Sequence, residues 1–149
     1  GGNATFIDSE VTLPESEREN LANAGVETTT RDMLGAPEYL YNIYLTYDYE
    51  PFDTQIGLFY TVKGDTLVVG AGNRNGNYVP DVYATEFETL NLSVSKKLGK
   101  HFTLNFHAKN LTNPAIEEIY RTPDHLGDEE LKTSYTKGID FTFSISGVW

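Results

Sequence analysis

The three histidines are the side chains of this sequence best suited to bind a metal ion or to move a proton near neutral pH. They are His101, His107 and His125. None of them stands in an H-x-x-H pattern or at a metal-site spacing from a carboxylate, and the chain has no cysteine that could add a thiolate ligand. The sequence therefore predicts neither a metal ion nor a bound cofactor.

A catalytic set is not recognisable either. No serine stands in the G-x-S-x-G turn of a hydrolase, and no nucleophile has an evident neighbouring base. Residues 70–76 are rich in glycine and asparagine, but they lack the spacing of a phosphate-binding loop, and no helical pattern follows them to supply a dipole. We therefore predict that the protein is not an enzyme.

The chain has more acidic than basic residues, which disfavours some classes of partner. Its 22 Asp and Glu against 11 Lys and Arg give a net charge of −11, and no basic stripe is present that could replace the counterions of a phosphate backbone. Nucleic acid is therefore not an expected partner. We expect the acidic loops to be solvated rather than to bind cations. No apolar run approaches the ~20 residues of a membrane-spanning helix.

The dominant pattern in the sequence is an alternation of apolar and polar residues, which is typical of β-strands with two different faces. It is found at residues 38–50, 55–63, 87–97, 102–109 and 139–146. The polar positions carry mostly Thr, Ser and Asn and few charges, whereas the outer face of a soluble sheet should carry more charges. Short polar side chains that point into a sealed interior would explain this composition.

The segments between these strands differ in length. Residues 3–13 are a sixth strand candidate with poorly sorted faces, and residues 16–23 could form a short helix. We predict a long irregular loop at residues 64–84, where Gly, Asn and Pro are frequent, and a second long connection at residues 112–135. The connections thus alternate between long and short, which places all long loops at one end of the sheet.

Such a difference in loop length between the two ends of a sheet is typical of outer-membrane β-barrels, which have short periplasmic turns and long extracellular loops. About six strands cannot close on their own, because the smallest bacterial barrels have about eight. The opening residues contain no signal peptide pattern. We therefore predict an all-β antiparallel meander that forms part of a larger transmembrane barrel, with residues 1–149 as a C-terminal piece of the barrel domain.

Four short motifs resemble those of one family. Residues 31–42 (RDMLGAPEYLYN), 60–65 (YTVKGD), 106–114 (FHAKNLTNP) and 135–138 (YTKG) are similar to strand ends of TonB-dependent receptors, and they occur in the family's order. The resemblance covers most of the chain, from Arg31 to the last residue. Each motif alone is weak, whereas four in order with matching loops are specific.

The resemblance implies a barrel of about 22 strands in the bacterial outer membrane, together with a plug domain and a TonB box that this chain does not contain. It implies energised uptake of a scarce nutrient, which could be a siderophore, a metal chelate, a vitamin or an oligosaccharide. The implied partners are outer-membrane lipid, the TonB complex, which would act through the missing N-terminal part, and the barrel-assembly machinery. The side chains that resemble the assembly signal are Phe141, Phe143, Ile145 and Trp149, while Gly147 departs from it because a bulkier residue is commoner there.

Ligand contacts, if the protein makes them, are expected from aromatic and cationic side chains of the loops and the upper interior. These are Arg74, Tyr78, Tyr83, His107, Arg121 and His125. The main alternative is a soluble all-β ligand-binding domain, either lipocalin-like or a sandwich. A passive porin would lack the motif order, and an outer-membrane lipase barrel would need a catalytic set.

Overall fold

The computed structural model of the chain describes residues 1–122 and 129–148. Strands make up 61% of the chain and helices 8%, so the all-β prediction is confirmed. His125 and Trp149 lie outside the described residues. In chain order the strands and the α-helix are β1 (Gly2–Phe6), β2 (Glu10–Thr12), α1 (Glu15–Ala22), β3 (Thr30–Asp32), β4 (Tyr39–Tyr49), β5 (Thr54–Lys63), β6 (Thr66–Val69), β7 (Gly72–Arg74), β8 (Asn77–Val79), β9 (Asp81–Ala84), β10 (Phe87–Leu98), β11 (Phe102–Lys109), β12 (Ile116–Arg121), β13 (Glu130–Tyr135) and β14 (Asp140–Gly147).

Six strands form one long antiparallel sheet in the order β1-β4-β5-β10-β11-β14. This order follows the chain, so the predicted meander is confirmed. A 3₁₀ turn at Glu50–Phe52 joins β4 to β5, and a turn at residues 99–101 joins β10 to β11. These two short connections lie at one end of the long sheet, and the three long connections lie at the other. Within the described residues, no helix is long and apolar enough to cross a membrane.

The strand registers place every second residue of the six strands on the same side. In one row Leu45, Leu58, Leu92, Ala108 and Phe141 lie opposite one another from β4 to β14. This alternation confirms the faces predicted from the sequence. We call this side the apolar face; its apolar and aromatic members on β4, β5, β10, β11 and β14 are Tyr39, Tyr41, Ile43, Leu45, Tyr47, Tyr49, Ile56, Leu58, Tyr60, Val62, Leu90, Leu92, Val94, Leu98, Phe102, Leu104, Phe106, Ala108, Phe141, Phe143 and Ile145. Thr54, Glu88, Lys96 and Gly147 lie on the same side, near the ends of the strands.

The opposite side of the sheet, here called the polar face, carries mainly hydroxyl and amide groups. One row across it contains Thr46, Gly57, Ser93, His107 and Thr142. The face continues along each strand with the residues Asn42, Asp48, Gln55, Thr61, Thr89, Asn91, Ser95, Lys97, Thr103, Asn105, Lys109, Asp140, Ser144 and Ser146. Three aromatic exceptions lie on it: Tyr44 and Phe59, which are opposite each other, and Phe87, which lies in one row with Leu40.

The apolar face does not form a core. On the outer strand β14, Phe141 is 63% exposed, Phe143 69% and Ile145 61%, and Leu45 on β4 is 63% exposed. The largest fully buried side chains of the described residues, Leu21 and Leu67, lie in the long connections instead. A compact centre built from the long sheet is therefore not part of the structure.

The prediction for residues 64–84 was wrong, because this segment folds into β6, β7, β8 and β9. Its strands have three or four residues each, which is too short for a pattern of alternation to stand out. The glycine-rich stretch is the tip of a hairpin: Asn75 and Gly76, with φ of 56° and 83°, join β7 to β8. Positive φ at both residues of a two-residue Asn-Gly loop is the geometry of a type I′ hairpin turn.

The long connection predicted at residues 112–135 also contains ordered strands, β12 and β13. They pair with strands of the preceding connection in a four-stranded sheet of order β13-β12-β9-β6. The candidate strand at residues 3–13 is two strands, β1 and β2, since only the first of them joins the long sheet. The helix expected at residues 16–23 is confirmed as α1, shifted by one residue.

The long connections fold together into one assembly, which we call the loop module: α1 with β2, β3, β6 to β9, β12 and β13. It has two small clusters of buried side chains. Leu13, Leu21 and Ala71 form one, with Tyr78 packed against it, and the other consists of Leu67, Tyr83 and Ile119. The module begins where the long sheet ends, since Gly64 N donates to Tyr39 O and Glu38 N to Asp65 O.

An asparagine pair at the end of β11 ties three strands of the long sheet together. Asn110 and Asn113 adopt the left-handed conformation, with φ of 60° and 43°. Asn110 N donates to Asn91 Oδ1 of β10, and Asn110 Nδ2 donates to Gly138 O just before β14. Gly138 N in turn donates to Asn113 Oδ1 at 3.0 Å. These contacts fix where the long sheet ends beside the loop module.

Replacement of Asn110 by alanine should destabilise this junction by about 2 kcal/mol. It removes one hydrogen bond, and alanine is less favourable than asparagine in the left-handed conformation because it has no polar side chain to bond locally. Asn110→Gly is the matched control, since it loses the same bond but tolerates the backbone conformation. Hydrogen exchange at the amides of β14 should be fastest in the alanine variant. Equal exchange in the two variants would contradict a conformational role for Asn110.

Candidate functional site

A cavity of about 410 Å³ lies in the loop module. Its size falls in the range of sites for small molecules. Strands β2, β3 and β9, the end of β12 and Glu38 before β4 supply its charged side chains, and the cluster around Leu21 supplies part of its apolar wall. The residues that line it are Glu10, Leu13, Leu21, Thr28, Thr30, Arg31, Asp32, Glu38, Ala71, Asp81, Tyr83, Arg121 and Thr122.

Strand β9 positions the central side chains of the cavity. It is an inner strand of the four-stranded sheet and pairs with β6 on one side and with β12 on the other. The register sets Asp81 opposite Arg121 and Tyr83 opposite Ile119. Because residues two apart share a face of a strand, Asp81 and Tyr83 project to the same side.

Arg121 is held by three groups of the chain. Its Nη2 donates to Asp65 Oδ2 at 2.7 Å, its Nε donates to Glu129 Oε1 at 2.8 Å, and the guanidinium lies 4.5 Å from the ring centre of Tyr83. The side chain is only 16% exposed. Burial lowers the pKa of Arg121, but the hydrogen bonds that it donates to the two carboxylates outweigh this effect and raise the pKa. The positive charge is therefore compensated within the protein.

Arg31 is paired in the same way. Its Nη1 donates to Glu17 Oε1 of α1 at 2.5 Å. The guanidinium lies directly against the backbone of Gly70, where the Cβ of any other residue would collide with it. Both arginines that line the cavity thus have carboxylate partners.

Tyr83 links β9 to β3. Its hydroxyl donates to Asp32 Oδ2 at 2.7 Å, and the side chain belongs to a buried cluster. Burial, with a further contribution from the hydrogen bond to Asp32, raises the pKa of Tyr83. The hydroxyl consequently stays protonated and remains a donor over the physiological range.

Asp81 is the most deeply buried carboxylate of the site, at 8% exposure. Its Oδ1 accepts a hydrogen bond from Ala71 N at 2.6 Å. Burial raises the pKa of Asp81, while the bond from Ala71 and the charge of Arg31 act against the shift. Thr122, which also lines the cavity, has a buried hydroxyl with no hydrogen-bond partner among the described residues. The wall of the cavity therefore contains one hydroxyl that the described residues leave without a hydrogen bond.

The structure brings together three of the ligand contacts predicted from the sequence. Tyr83 and Arg121 line the cavity, and Tyr78 packs against the apolar cluster that forms its wall. Burial raises the pKa of Tyr78 to about 12. Arg74 is exposed on the β7–β8 hairpin, and His107 lies apart from the cavity on the polar face.

The remaining predicted residues are distributed differently. His125 and Trp149 lie outside the described residues. The other three residues of the expected assembly signal, Phe141, Phe143 and Ile145, lie together on the apolar face of β14. Within residues 1–122 and 129–148 no group of three or more potential ligands is placed to hold a metal ion.

Sequence reasoning missed the acidic half of the cavity. Asp32 and Arg31 stand in a segment that was read only as a family motif, and Asp81 stands in the segment predicted as an irregular loop. The alternation of Val82 and Ala84 with Asp81 and Tyr83 could have indicated β9, but four residues are too few to distinguish a strand from a loop. Burial of Asp81 depends on α1 and β3, which are distant in sequence.

The comparisons with known proteins found no match: no family model, no curated protein and no solved structure matches this chain. The family resemblance drawn from the sequence therefore stays a prediction. The fold class that the coordinates define is an all-β antiparallel protein with open sheets, and its function has to be argued from its geometry.

The charge of Asp81 should cost stability at neutral pH. The folded-state pKa is raised above the unfolded value, so this group favours folding at pH values below its unfolded pKa of about 4, and that contribution is lost as the pH rises through the folded pKa. Asp81→Asn keeps an acceptor for Ala71 N and removes the charge. Hydrogen exchange at β9 should therefore be slower in Asp81→Asn than in the unchanged chain at pH 7, and the difference should shrink as the pH is lowered. Faster exchange at pH 7 would contradict this account.

Proposed function

We propose that the chain forms part of the wall of a transmembrane β-barrel in the bacterial outer membrane, and that this barrel is a transport receptor of the TonB-dependent type. The loop module would face the outside and the short turns the periplasm. The observation that carries the proposal is the apolar face, which extends in register across the long sheet and is exposed over much of its area.

Such a face is unfavourable in water. Burial of apolar surface is worth about 25 cal/mol per Å², and soluble monomers rarely expose contiguous apolar patches larger than a few hundred Å². Hydrocarbon would cover the face without any further protein. Side chains such as Phe143, Ile145 and Leu45, which are more than half exposed, would then lie against lipid.

The distribution of aromatic residues on the apolar face supports this placement. Tyr39 and Tyr41 lie stacked near the loop module, and Tyr47 and Tyr49 lie stacked near the short turns. Aliphatic residues occupy the middle of the same strand. The ten steps from Tyr39 to Tyr49, at ~3.3 Å each and a tilt of ~40°, span roughly 25 Å in height, which is the thickness of the apolar band in such barrels. Tyrosine is enriched at the two interfaces of a membrane.

The polar face supports an enclosed interior. Its side chains bond to one another across strands: Ser95 Oγ donates to Asn105 Oδ1 at 2.9 Å, and Thr61 Oγ1 donates to Asn42 Oδ1 at 2.8 Å. Neutral groups that satisfy each other in this way suit a lumen that holds water or a plug.

The proposal requires further strands at both edges. β1 and β14 each pair with one neighbour in the described sheet, and in lipid every unpaired backbone group would cost several kcal/mol. The rest of the barrel would supply these strands. The proposed partners are outer-membrane lipid, the TonB complex, which would engage a region outside this chain, and the barrel-assembly machinery, which would read β14.

The alternative, a soluble all-β ligand-binding domain, has less support. A lipocalin-like barrel or a sandwich would bury the alternate apolar residues of its strands in a shared core. The outer strand β14, whose Phe141, Phe143 and Ile145 lie on the apolar face, has none of its residues buried.

Single-cysteine labelling tests the placement of the two faces, and the absence of native cysteines makes each label unique. Leu92→Cys and Ser93→Cys are matched, because they are neighbours on β10 and lie at the same depth. In the complete barrel, reconstituted in lipid vesicles, a nitroxide at residue 92 should be reached by oxygen and protected from a water-soluble nickel complex, and the label at residue 93 should behave in the opposite way. A chain that stays monodisperse without detergent, with both labels reached by the nickel complex, would sink the proposal.

A charge placed on each face gives an energetic version of this test. Leu92→Arg should destabilise the complete barrel in vesicles by about 2–4 kcal/mol, because the guanidinium would lie near the middle of the bilayer. Ser93→Arg, the control, should cost much less, since it would point into the lumen. Urea titrations in short-chain phosphatidylcholine vesicles, followed by protease protection, measure both. If both variants had the same stability, lipid contact at residue 92 would be ruled out.

A further inference from the structure

We propose that Lys96 binds the headgroup of an anionic phospholipid at the end of the apolar face that lies beside the two short connections, here called the short-turn end. The ammonium group of Lys96 would contact the lipid phosphate, and the acyl chains of the same lipid would cover the aliphatic side chains next to it. This inference rests on the proposed function and deepens it, because it names the kind of lipid that this part of the wall selects.

The apolar face carries very few charges, and their positions are informative. Among the six described strands of the long sheet, only Glu88 and Lys96 are charged residues on this side, and both belong to β10. Glu88 stands four residues before Leu92 and Lys96 four residues after it. Four steps of ~3.3 Å on a strand tilted by ~40° correspond to roughly 10 Å in height. An apolar band of ~25 Å centred near Leu92 would therefore have one charge close to each of its boundaries.

The two charges differ in their partners. Glu88, near the loop module, accepts a hydrogen bond on its Oε2 from the hydroxyl of Tyr60. Lys96, at the short-turn end, forms no ion pair within residues 1–122 and 129–148, where the ion pairs are made by other cations. Because an ammonium group has three N–H donors and no acceptor, Lys96 can bind an anion from outside the chain.

Aromatic rings position the ammonium group at this boundary. Lys96 Nζ lies 5.2 Å from the ring centre of Phe52, which is 58% exposed. Phe52 stacks on Tyr49 with the ring centres 5.3 Å apart, and Tyr49 stacks on Tyr47. A ring face attracts a cation on one side and leaves its other side open to a further partner. Tyrosine belts and lysine side chains that extend toward the headgroups are both typical of a membrane boundary.

The acidic residues of the turn between β4 and β5 do not pair with Lys96. Glu50 and Asp53 line a hollow of about 290 Å³ together with Ser95 and Lys97, which belong to the polar face. Lys97 is therefore the cation that shares this hollow with the two carboxylates. The positive charge of Lys96 stays on the side of the sheet that would face lipid.

Other anions fit this position less well. The side chains of Val94, Leu98 and Leu104 lie next to Lys96 on the same side of the sheet. Inorganic phosphate would leave them uncovered because it has no apolar portion. Phosphatidylcholine has acyl chains, but its own ammonium group competes with Lys96 for the phosphate. An anionic phospholipid supplies both an uncompensated phosphate and the hydrocarbon.

Quenching by brominated lipids measures this selectivity in the complete barrel. A bimane label at Val94→Cys lies two residues from Lys96, on the same face. Phosphatidylcholine vesicles contain a fixed share of brominated phosphatidylglycerol or of brominated phosphatidylcholine, so that quenching gives the relative binding constant of the two lipids beside the label. This constant should favour phosphatidylglycerol about three- to fivefold at low salt and less at high salt. Equal binding of the two lipids at low salt would overturn the proposal.

Substitutions assign the selectivity to one side chain. Lys96→Gln should abolish the preference, and Lys96→Arg should retain it because the charge remains. Lys97→Gln is the matched control, since Lys97 lies at the same depth on the polar face. Lys96→Met, which suits hydrocarbon, gives the same readout should Lys96→Gln fail to assemble. An undiminished preference in either neutral variant of Lys96, or a loss in Lys97→Gln alone, would refute the assignment.

A second label and the nitroxide experiment separate the possible failures. A bimane at Leu90→Cys, on the loop-module side of Leu92, should show no lipid preference that depends on Lys96. Lipid contact at residue 92 together with equal binding of the two lipids would refute the headgroup contact alone. Water contact at residue 92 would remove the proposed function and this inference with it.

Discussion

The register of the six-stranded ladder is the constraint on which the rest of the structure depends. A slip of one residue between two strands would turn every side chain of one of them to the other side. Because β5, β10 and β11 are aligned over long stretches, most aliphatic side chains lie on one side of the sheet and most Ser, Thr and Asn side chains on the other. The apolar face is therefore a property of pairing in the backbone rather than of any single contact. The interpretation of the protein as a membrane wall follows from that separation.

The loop module is held together less by apolar packing and more by polar and ionic contacts. It has little apolar core, and its strands are short, so charged groups do much of the positioning. Arg121 connects β12 to the segment before β6, and Tyr83 connects β9 to β3 through Asp32. Such partly buried ion pairs add orientation more than stability, since desolvation offsets much of the attraction. The same arrangement leaves Asp81 without a cationic partner in direct contact, which concentrates negative charge in one cavity.

The sequence predicted the long sheet well and the loop module poorly, and the reason is the length of the elements. In β10 and β14 the alternation runs over eight residues or more, so the faces and turns could be predicted. In β6 to β9 each strand has at most four residues, and the Asn75-Gly76 hairpin turn was read as an irregular loop tip. Tyr83 and Arg121 were predicted as ligand contacts by residue type. The role of Asp81 could not be, because its burial arises from elements far away in the chain.

The four-stranded sheet has a mechanical consequence. Its strands β6 and β9 come from the connection between β5 and β10, and β12 and β13 come from the connection between β11 and β14. The hydrogen-bonded pairing of β9 with β12 joins these two connections, from the pair Ala84 and Glu118 to the pair Asp81 and Arg121. Neither connection can move away from the other without breaking the hydrogen bonds between β9 and β12. The two connections are therefore tied together, and the cavity lies between them and the connection from β1 to β4, which supplies eight of its thirteen lining residues.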